Sequence, residues 1–385
     1  MTHYKTISGL GMRNLSFLIL VLIFVSCKPN KKDDYTKGTQ VFDYAKGIVF
    51  AKHEGYTLVN VKTPYKGAKE GHTYVLYPRK SKRPGVEADT YIPVPAQSIV
   101  CTSTTHIPLL DYLGETDKLV GFPTTDYISS EKMRARIDSG SVVELGIDNA
   151  LNIERLIQLN PELVMAYTMT GDYGQLDKIQ QAGIPVIINA EYMEPDPLGR
   201  AEWIKLAGLL FGKEAEADSV FTRIADNYNK TRELVKKENA HPASLSGVMY
   251  SDAWYLPGGQ NYAAKLMSDA GYNYLWAHDS TEGFLSLSYE TVLEKASQAD
   301  YWLGVADYPS LKSLADASER YTYFKPFQTG KVYSYNKRIG AKGGSEFLEL
   351  GYLRPDLILN DLAKIAYPDM LPNYELYFYY QLPKE

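Results

Sequence analysis

The chain has 385 residues and a formal net charge of -5, with 41 Lys and Arg against 46 Asp and Glu. Its cations are dispersed rather than gathered into a stripe or patch, which excludes nucleic acid as a partner. Tyrosine is the compositional outlier, with 32 residues against 12 Phe and 4 Trp, and an amphipathic ring suits a binding surface that needs apolar area plus a polar handle.

The first element in chain order is a leader. Residues 12–27 carry Arg13, an apolar run at 15–25, then Ser26 and Cys27, followed by KPNKKDD. The run is short for a membrane span and its flanks are those of an export signal. It resembles a lipoprotein signal, which implies removal of 1–26, diacylation of the Cys27 thiol and a membrane anchor through that lipid. Met12 serves as a start as well as Met1 does. An exported chain with two cysteines would ordinarily pair them. With Cys27 lipidated, Cys101 is left as a small core residue in an apolar strand. Residues 27–40 then form a tether, and the Lys31 to Asp34 run resembles the tag that carries some lipoproteins to the outer-membrane surface.

Residues 41–97 alternate short β-like runs (GIVFAKH, YTLVNVKT, TYVLYPR) with Gly and Pro punctuation, predicting a β-rich extension. From 98 to 197 the pattern becomes strand, loop, helix. QSIVC leads into HIPLLDYLG with His106 at the turn, and the strands KLVGF, LVMAY and IPVIINA alternate with helical stretches, as in a parallel α/β lobe. Residues 198–240 lack strand signals, while Ala217, Val220, Phe221, Ile224, Tyr228, Leu234 and Val235 keep helical spacing. One long linking helix, with a break near Gly212, is the expectation. Residues 241–385 form a second α/β lobe that ends in the helix LRPDLILNDLAKIAYP.

An internal repeat ties the lobes together. NIERLIQLNPELVMAY at 152–167 returns in degraded form as SYETVLEKASQADYWLG from 288. In each copy a capping residue, Asn152 or Ser288, precedes an acid in the first helical turn, Glu154 or Glu290, where the helix dipole favours negative charge. Each short helix then leads to a buried strand. The fold class that follows is two Rossmann-like lobes with parallel sheets joined by a long helix, plus the N-terminal β-rich extension. A cleft lies between the lobes.

NIERLIQLNPELVMAY resembles the N-L-E-R-I-x-x-L-x-P-D-L-V-I-A-W motif of the solute-binding proteins of ABC importers for vitamin B12, ferric siderophores and haem, with Glu162 in place of Asp. The resemblance covers about 97–368 and leaves the β-rich segment outside the family pattern. It implies that Glu154 and Glu290 dock on arginines of an ABC permease dimer in the inner membrane. It also implies that Tyr167 and Phe284, at positions where the B12-binding member carries Trp, stack on a metal chelate. His106, Tyr127 and Trp254 occupy other strand-end loops facing the same cleft by topology. In the loop NKRIGAKGGSE, Arg338, with Lys337 and Lys342, can reach an anionic ligand.

The sequence holds no G-x-S-x-G elbow, H-E-x-x-H, P-loop or dinucleotide fingerprint, so neither an enzyme nor a resident cofactor or metal is expected. The reading is a membrane-anchored, exported lipoprotein, periplasmic or on the outer-membrane surface, that captures an iron chelate for an importer. The alternatives are a corrinoid-binding protein of the same family and a surface lipoprotein that captures a chelate or strips its metal. A carrier of free zinc or manganese would need more His and carboxylate ligands than His106 supplies.

Overall fold

Apolar residues at every second position build the first layer of this protein. The structure is a computed structural model and describes residues 39–40, 42–147, 150–305 and 307–385. The leader, Cys27 and most of the tether lie outside the described residues. Strands β1 (Thr39–Gln40), β2 (Ile48–His53), β3 (Tyr56–Val61), β4 (His72–Pro78) and β5 (Thr90–Val94) pair in sequence order, antiparallel except for β4 with β5. Ile48, Phe50, Val59, Val61 and Tyr74 face the main core, while Ala51, Leu58 and Val75 on the other face pack with Tyr77 and Tyr91.

The next elements are β6 (Ile99–Cys101), α1 (Ile107–Leu113), β7 (Leu119–Phe122), α2 (Glu131–Asp138), β8 (Val143–Glu144), the hairpin β9 (Gly146–Ile147) and β10 (Ala150–Leu151), α3 (Ile153–Leu159), β11 (Leu163–Ala166), α4 (Gly174–Gln181) and β12 (Val186–Ile188). Their parallel sheet has the order β12, β11, β6, β7, β8, and its strands β6, β11 and β12 are buried on both faces, as helix-covered parallel strands must be, while the edge strand β8 is not. Three helices follow: α5 (Pro197–Glu202), α6 (Ile204–Phe211) and α7 (Glu214–Val235). Gly212 ends α6 in the left-handed region, at φ 67, so the long helix of the link is the 22-residue α7.

The second lobe contains β13 (Ala243–Ser246), the hairpin β14 (Val248–Tyr250) and β15 (Ala253–Pro257), α8 (Tyr262–Asp269), β16 (Asn273–Tyr274), β17 (Phe284–Ser288), α9 (Tyr289–Ala296), β18 (Tyr301–Leu303), α10 (Leu311–Ala317), α11 (Lys325–Gln328), β19 (Val332–Ser334), α12 (Glu346–Leu350), α13 (Pro355–Ala366) and β20 (Tyr380–Gln381). Its main sheet has the order β16, β13, β18, β19, β20, and β14, β15 and β17 form a separate antiparallel sheet. Read in one sense, β12, β11, β6, β7 correspond to β19, β18, β13, β16. The repeated helices α3 and α9 therefore feed equivalent strands, β11 and β18. Asn152 and Ser288 cap them as expected, accepting from Arg155 N and Thr291 N.

Buried carboxylates seat the N-terminal sheet on this frame. Glu202 accepts the amides of Asp43, Tyr44 and Ala45 at 2.8–3.1 Å. Glu194 accepts those of Lys46 and Gly47 and the indole N–H of Trp203 at 2.7–3.1 Å. Such charge-assisted bonds satisfy both acids away from water. On the far side, Arg79 makes a two-pronged bond to Glu162 at 2.6 and 2.9 Å. Glu162 thus joins Glu194 and Glu202 in holding the added sheet.

Candidate functional site

The strand-end loops of the two lobes face each other across a cleft with three connected hollows. The largest, of about 590 Å³, is lined by Met169, Tyr192 and Arg200 on one side and by Asn261, Tyr262, Phe284 and Tyr352 on the other. A second, of about 350 Å³, shares Arg200, Asn261, Tyr262, Phe284 and Tyr352 with it and continues into the second lobe past Tyr255, Phe347 and Tyr379. A third, of about 300 Å³, belongs to the first lobe, is lined by Thr102, Tyr167, Thr168, Asp172 and Gln175, and meets the first at Met169. The second hollow, aromatic-walled with few polar groups, has the usual form of a small-molecule site.

Arg200 is the cation at the centre of this arrangement. Its guanidinium lies over the rings of Tyr262 and Tyr352 at 3.9 and 4.3 Å. Nε and one terminal nitrogen donate to the carbonyls of Glu194 and Tyr192, each at 2.8 Å. These contacts fix its plane, and its second terminal nitrogen makes no such bond among the described residues. The phenol of Tyr262 donates to the Gly351 carbonyl at 3.1 Å. Burial pushes the pKa values of Tyr262, Tyr335 and Tyr379 above the ordinary phenol value, so all three stay protonated. Among the described residues no three His, Cys, Asp or Glu side chains gather into a metal-binding group.

The structure sorts the expected site residues. Phe284 is 68% exposed at the lip of the two larger hollows, and Tyr167 lines the hollow of the first lobe. Tyr127 is exposed on the turn after β7. Trp254 requires correction. It is fully buried against Trp302, Tyr321 and Phe324, and its indole donates to the Ser246 carbonyl at 3.0 Å. Strand alternation points its neighbour Tyr255 into the cleft instead. His106 also requires correction: it is fully buried and neither ring nitrogen has a well-formed hydrogen bond. Burial pushes its pKa down to about 3, with the Met165 carbonyl opposing, so it stays neutral and away from any ligand. Arg338 lies over the Tyr377 ring at 4.3 Å and near Glu346 at 3.9 Å, and it lines none of the three hollows. Glu154 and Glu290 are exposed at the starts of α3 and α9.

The loop carrying Arg338 closes one flank of the cleft. Gly344 lies so close to the first lobe that a Cβ there would sit 2.1 Å from the Tyr127 carbonyl oxygen. Beside it, buried Glu349 accepts the amides of Ser129 and Ser130 at 2.6 and 3.0 Å, and Arg354 donates to the Tyr112 hydroxyl at 2.7 Å. Burial pushes the Glu349 carboxyl up to about 7, and the nearby Asp111 adds to the rise.

Arg200, Tyr255, Tyr262 and Tyr352 escaped the sequence reading. Tyr255 carried a usable signal, the two-residue period of β15. Arg200 carried none, because only tertiary packing brings α5 beneath the second lobe.

Comparison with known proteins places this geometry. An uncharacterized lipoprotein of Methanocaldococcus jannaschii is 24% identical over 367 residues, spanning 89% of this chain and 85% of its own. A periplasmic haem-binding protein from Roseiflexus superposes with a TM-score of 0.56 at 18% identity, over 71% of this chain and 99% of its own. A periplasmic binding protein from Veillonella parvula gives 0.58 at 16% identity, over 85% and 96%. The model of the periplasmic binding protein family matches residues 99–339, the first lobe, the link and the larger part of the second lobe, and the chain belongs to that family.

Proposed function

We propose that this protein is the ligand-capturing lipoprotein of an ABC importer, closing its two lobes on an iron chelate and presenting the loaded form to a membrane permease. The observation that carries the reading is the aromatic cleft with Arg200 at its centre, formed between the lobes of a periplasmic binding protein. Tyr262, Tyr352, Tyr255 and Phe284 offer ring surface for a flat or bulky complex. Arg200 offers one fixed cation to a carboxylate, catecholate or propionate edge. Neutral tyrosines and the lack of a metal-binding cluster among the described residues favour an intact chelate over a naked ion. The Roseiflexus neighbour carries haem in its name, which supports this ligand class. Export and lipidation at Cys27 keep the protein outside the cytoplasm, and Glu154 and Glu290 serve the permease.

The test is the absorption spectrum of protein purified from its native host, followed by titration of the stripped protein with haem, ferric tris-catecholate and cyanocobalamin. Bands of haem or a ferric chelate and saturable rebinding are the expected result. Corrin bands would transfer the reading to the corrinoid branch. A colourless preparation that binds none of the three overturns it.

A further inference from the structure

Three lysines of the N-terminal sheet line the largest hollow of the cleft. Lys46 precedes β2, and Lys62 and Lys66 follow β3. Because β2 and β3 run antiparallel, these two turns lie side by side at one end of the sheet, joined by the Lys62 amide donating to the Gly47 carbonyl at 2.7 Å. Lys46, Lys62 and Lys66 line the same 590 Å³ hollow as Arg200, Tyr262 and Phe284. All three are exposed, and none is within ion-pair distance of an acid among the described residues.

Both turns are held in place. Glu194 fixes the first by accepting the Lys46 and Gly47 amides and the Trp203 indole on one carboxylate oxygen, Oε1. The second sets Tyr65 on Gly171, where the ring would lie 2.4 Å from an added Cβ, and edge-on to Tyr173 at 5.9 Å. Gly171 belongs to the loop that carries Tyr167, Met169 and Asp172 into the cleft. The sheet therefore does two things at the site: it braces a ligand-facing loop and it brings three unpaired cations to the rim. Glu194 and Glu282 are the acids that line this hollow. Against these two stand four cations, Lys46, Lys62, Lys66 and Arg200.

We infer that the N-terminal sheet is a third wall of the ligand site, selecting chelates with an anionic periphery through Lys46, Lys62 and Lys66. The inference rests on the chelate-capture reading and adds the charge class of the ligand and a function for the sheet. A ferric tris-catecholate carries three negative charges, because three dianionic ligands surround one ferric ion, and haem carries two propionates. A ferric trihydroxamate is neutral at the same metal. Lysines on flexible stems can meet such charges at variable distance, whereas Arg200 fixes only one point.

The test compares wild-type protein with the Lys46→Gln, Lys62→Gln, Lys66→Gln triple variant. The control is Lys52→Gln, Lys80→Gln, Lys82→Gln, which removes the same charge from the same sheet away from the cleft. Binding of ferric tris-catecholate, haem, a neutral ferric trihydroxamate and cyanocobalamin is measured at low and high salt, with thermal unfolding checking that the variants fold. The cleft triple should weaken the anionic probe that binds by about tenfold at low salt, and less at high salt, while leaving any neutral probe unchanged. The control triple should bind as wild type does. Equal loss in both triples, no loss in the cleft triple, or wild-type preference for a neutral probe each overturns the role of the sheet and leaves chelate capture standing. Failure of the wild type to bind any probe overturns chelate capture and this inference with it.

Discussion

The two lobes share a topology and divide the chemistry. β12, β11, β6 and β7 match β19, β18, β13 and β16, and each lobe has a capped, acid-bearing helix before the equivalent strand. Yet the hollow of the first lobe is lined by Thr102, Thr168, Asp172 and Gln175, whereas that of the second is built from Tyr255, Tyr262, Phe347, Tyr352 and Tyr379. The second lobe inserts the antiparallel strands β14, β15 and β17, whose outer face carries Tyr255 and Phe284. Under the proposed function, repetition sets the place of the ligand and insertion sets the side chains that meet it. The expected division is apolar contact from the second lobe and polar contact from the first lobe and the N-terminal sheet.

The sharpest test of that division uses two adjacent residues of β15. Trp254→Ala empties a fully buried site between Trp302, Tyr321 and Phe324 and should cost about 3–5 kcal/mol of stability. Tyr255→Ala, one residue on and 42% exposed, should cost less than about 1 kcal/mol of stability while weakening ligand binding. Thermal unfolding and titration of both variants separate the roles. Loss of binding without loss of stability in Trp254→Ala would reverse the assignment of the two faces.

The first lobe has a buried polar group of its own, and pH exposes it. The His106 imidazole titrates near pH 6.5 in the unfolded chain and is pushed down to about 3 in the fold. Between those values the unfolded chain binds a proton that the folded chain refuses. The stability is therefore intact above about pH 6.5 and is lost as pH falls through this window, by about 2 kcal/mol at pH 5. Glu191 and Glu349, pushed up to about 7 chiefly by burial, act in the opposite sense, since their charged forms are disfavoured in the fold as pH rises. The informative quantity is thus the difference between wild type and His106→Leu, which should shrink the acid-side loss. Parallel stability curves for the two proteins would place the imidazole in water.

Ligand affinity gives a smaller contrast between the lobes. Phe284→Ala, on the second lobe at the lip of two hollows, should weaken binding by about 1–3 kcal/mol. Tyr167→Ala, in the more polar hollow of the first lobe, should weaken it by about 1 kcal/mol. A larger loss at Tyr167 than at Phe284, measured by calorimetry with the ligand purified alongside the protein, would invert the division.

Much of this plan was legible in the sequence because it rests on local rules. The caps at Asn152 and Ser288, the apolar strands 163–166 and 301–303 and the helical spacing of 217–235 are written within a few residues of one another. The site was less legible because cleft-facing side chains are chosen by packing between distant segments. Topology placed Trp254 at a loop near the cleft, but the alternation of β15 turned it inward. His106 sits at the right strand end, yet the turn at 104–106 seats it in the core. Arg338 is drawn aside by Tyr377, a residue from the tail of the chain. The lysines at 46, 62 and 66 gave no signal at all, since only the docking of the sheet through Glu162, Glu194 and Glu202 brings them to the cleft.

The smallest direct effect, and the one that tests what the lobes retain in common, concerns Glu154 and Glu290. Each is exposed in the first turn of a helix behind a capping side chain, and the two helices occupy equivalent places in their lobes. A helix-start acid alone is worth roughly 0.3–1 kcal/mol, so charge reversal should cost little stability. An exposed ion pair with a permease arginine would be worth only about 0.2–1 kcal/mol and would weaken with salt. Either single reversal to Lys should therefore slow uptake modestly, whereas the Glu154→Lys, Glu290→Lys double variant removes both attractions and puts repulsion in their place. Ligand affinity should be unchanged throughout, because neither residue lines the cleft. Normal uptake by the double variant would mean that the repeated helices preserve folding rather than docking. A surface lipoprotein that captures its ligand without a permease would then be the better account of the chain.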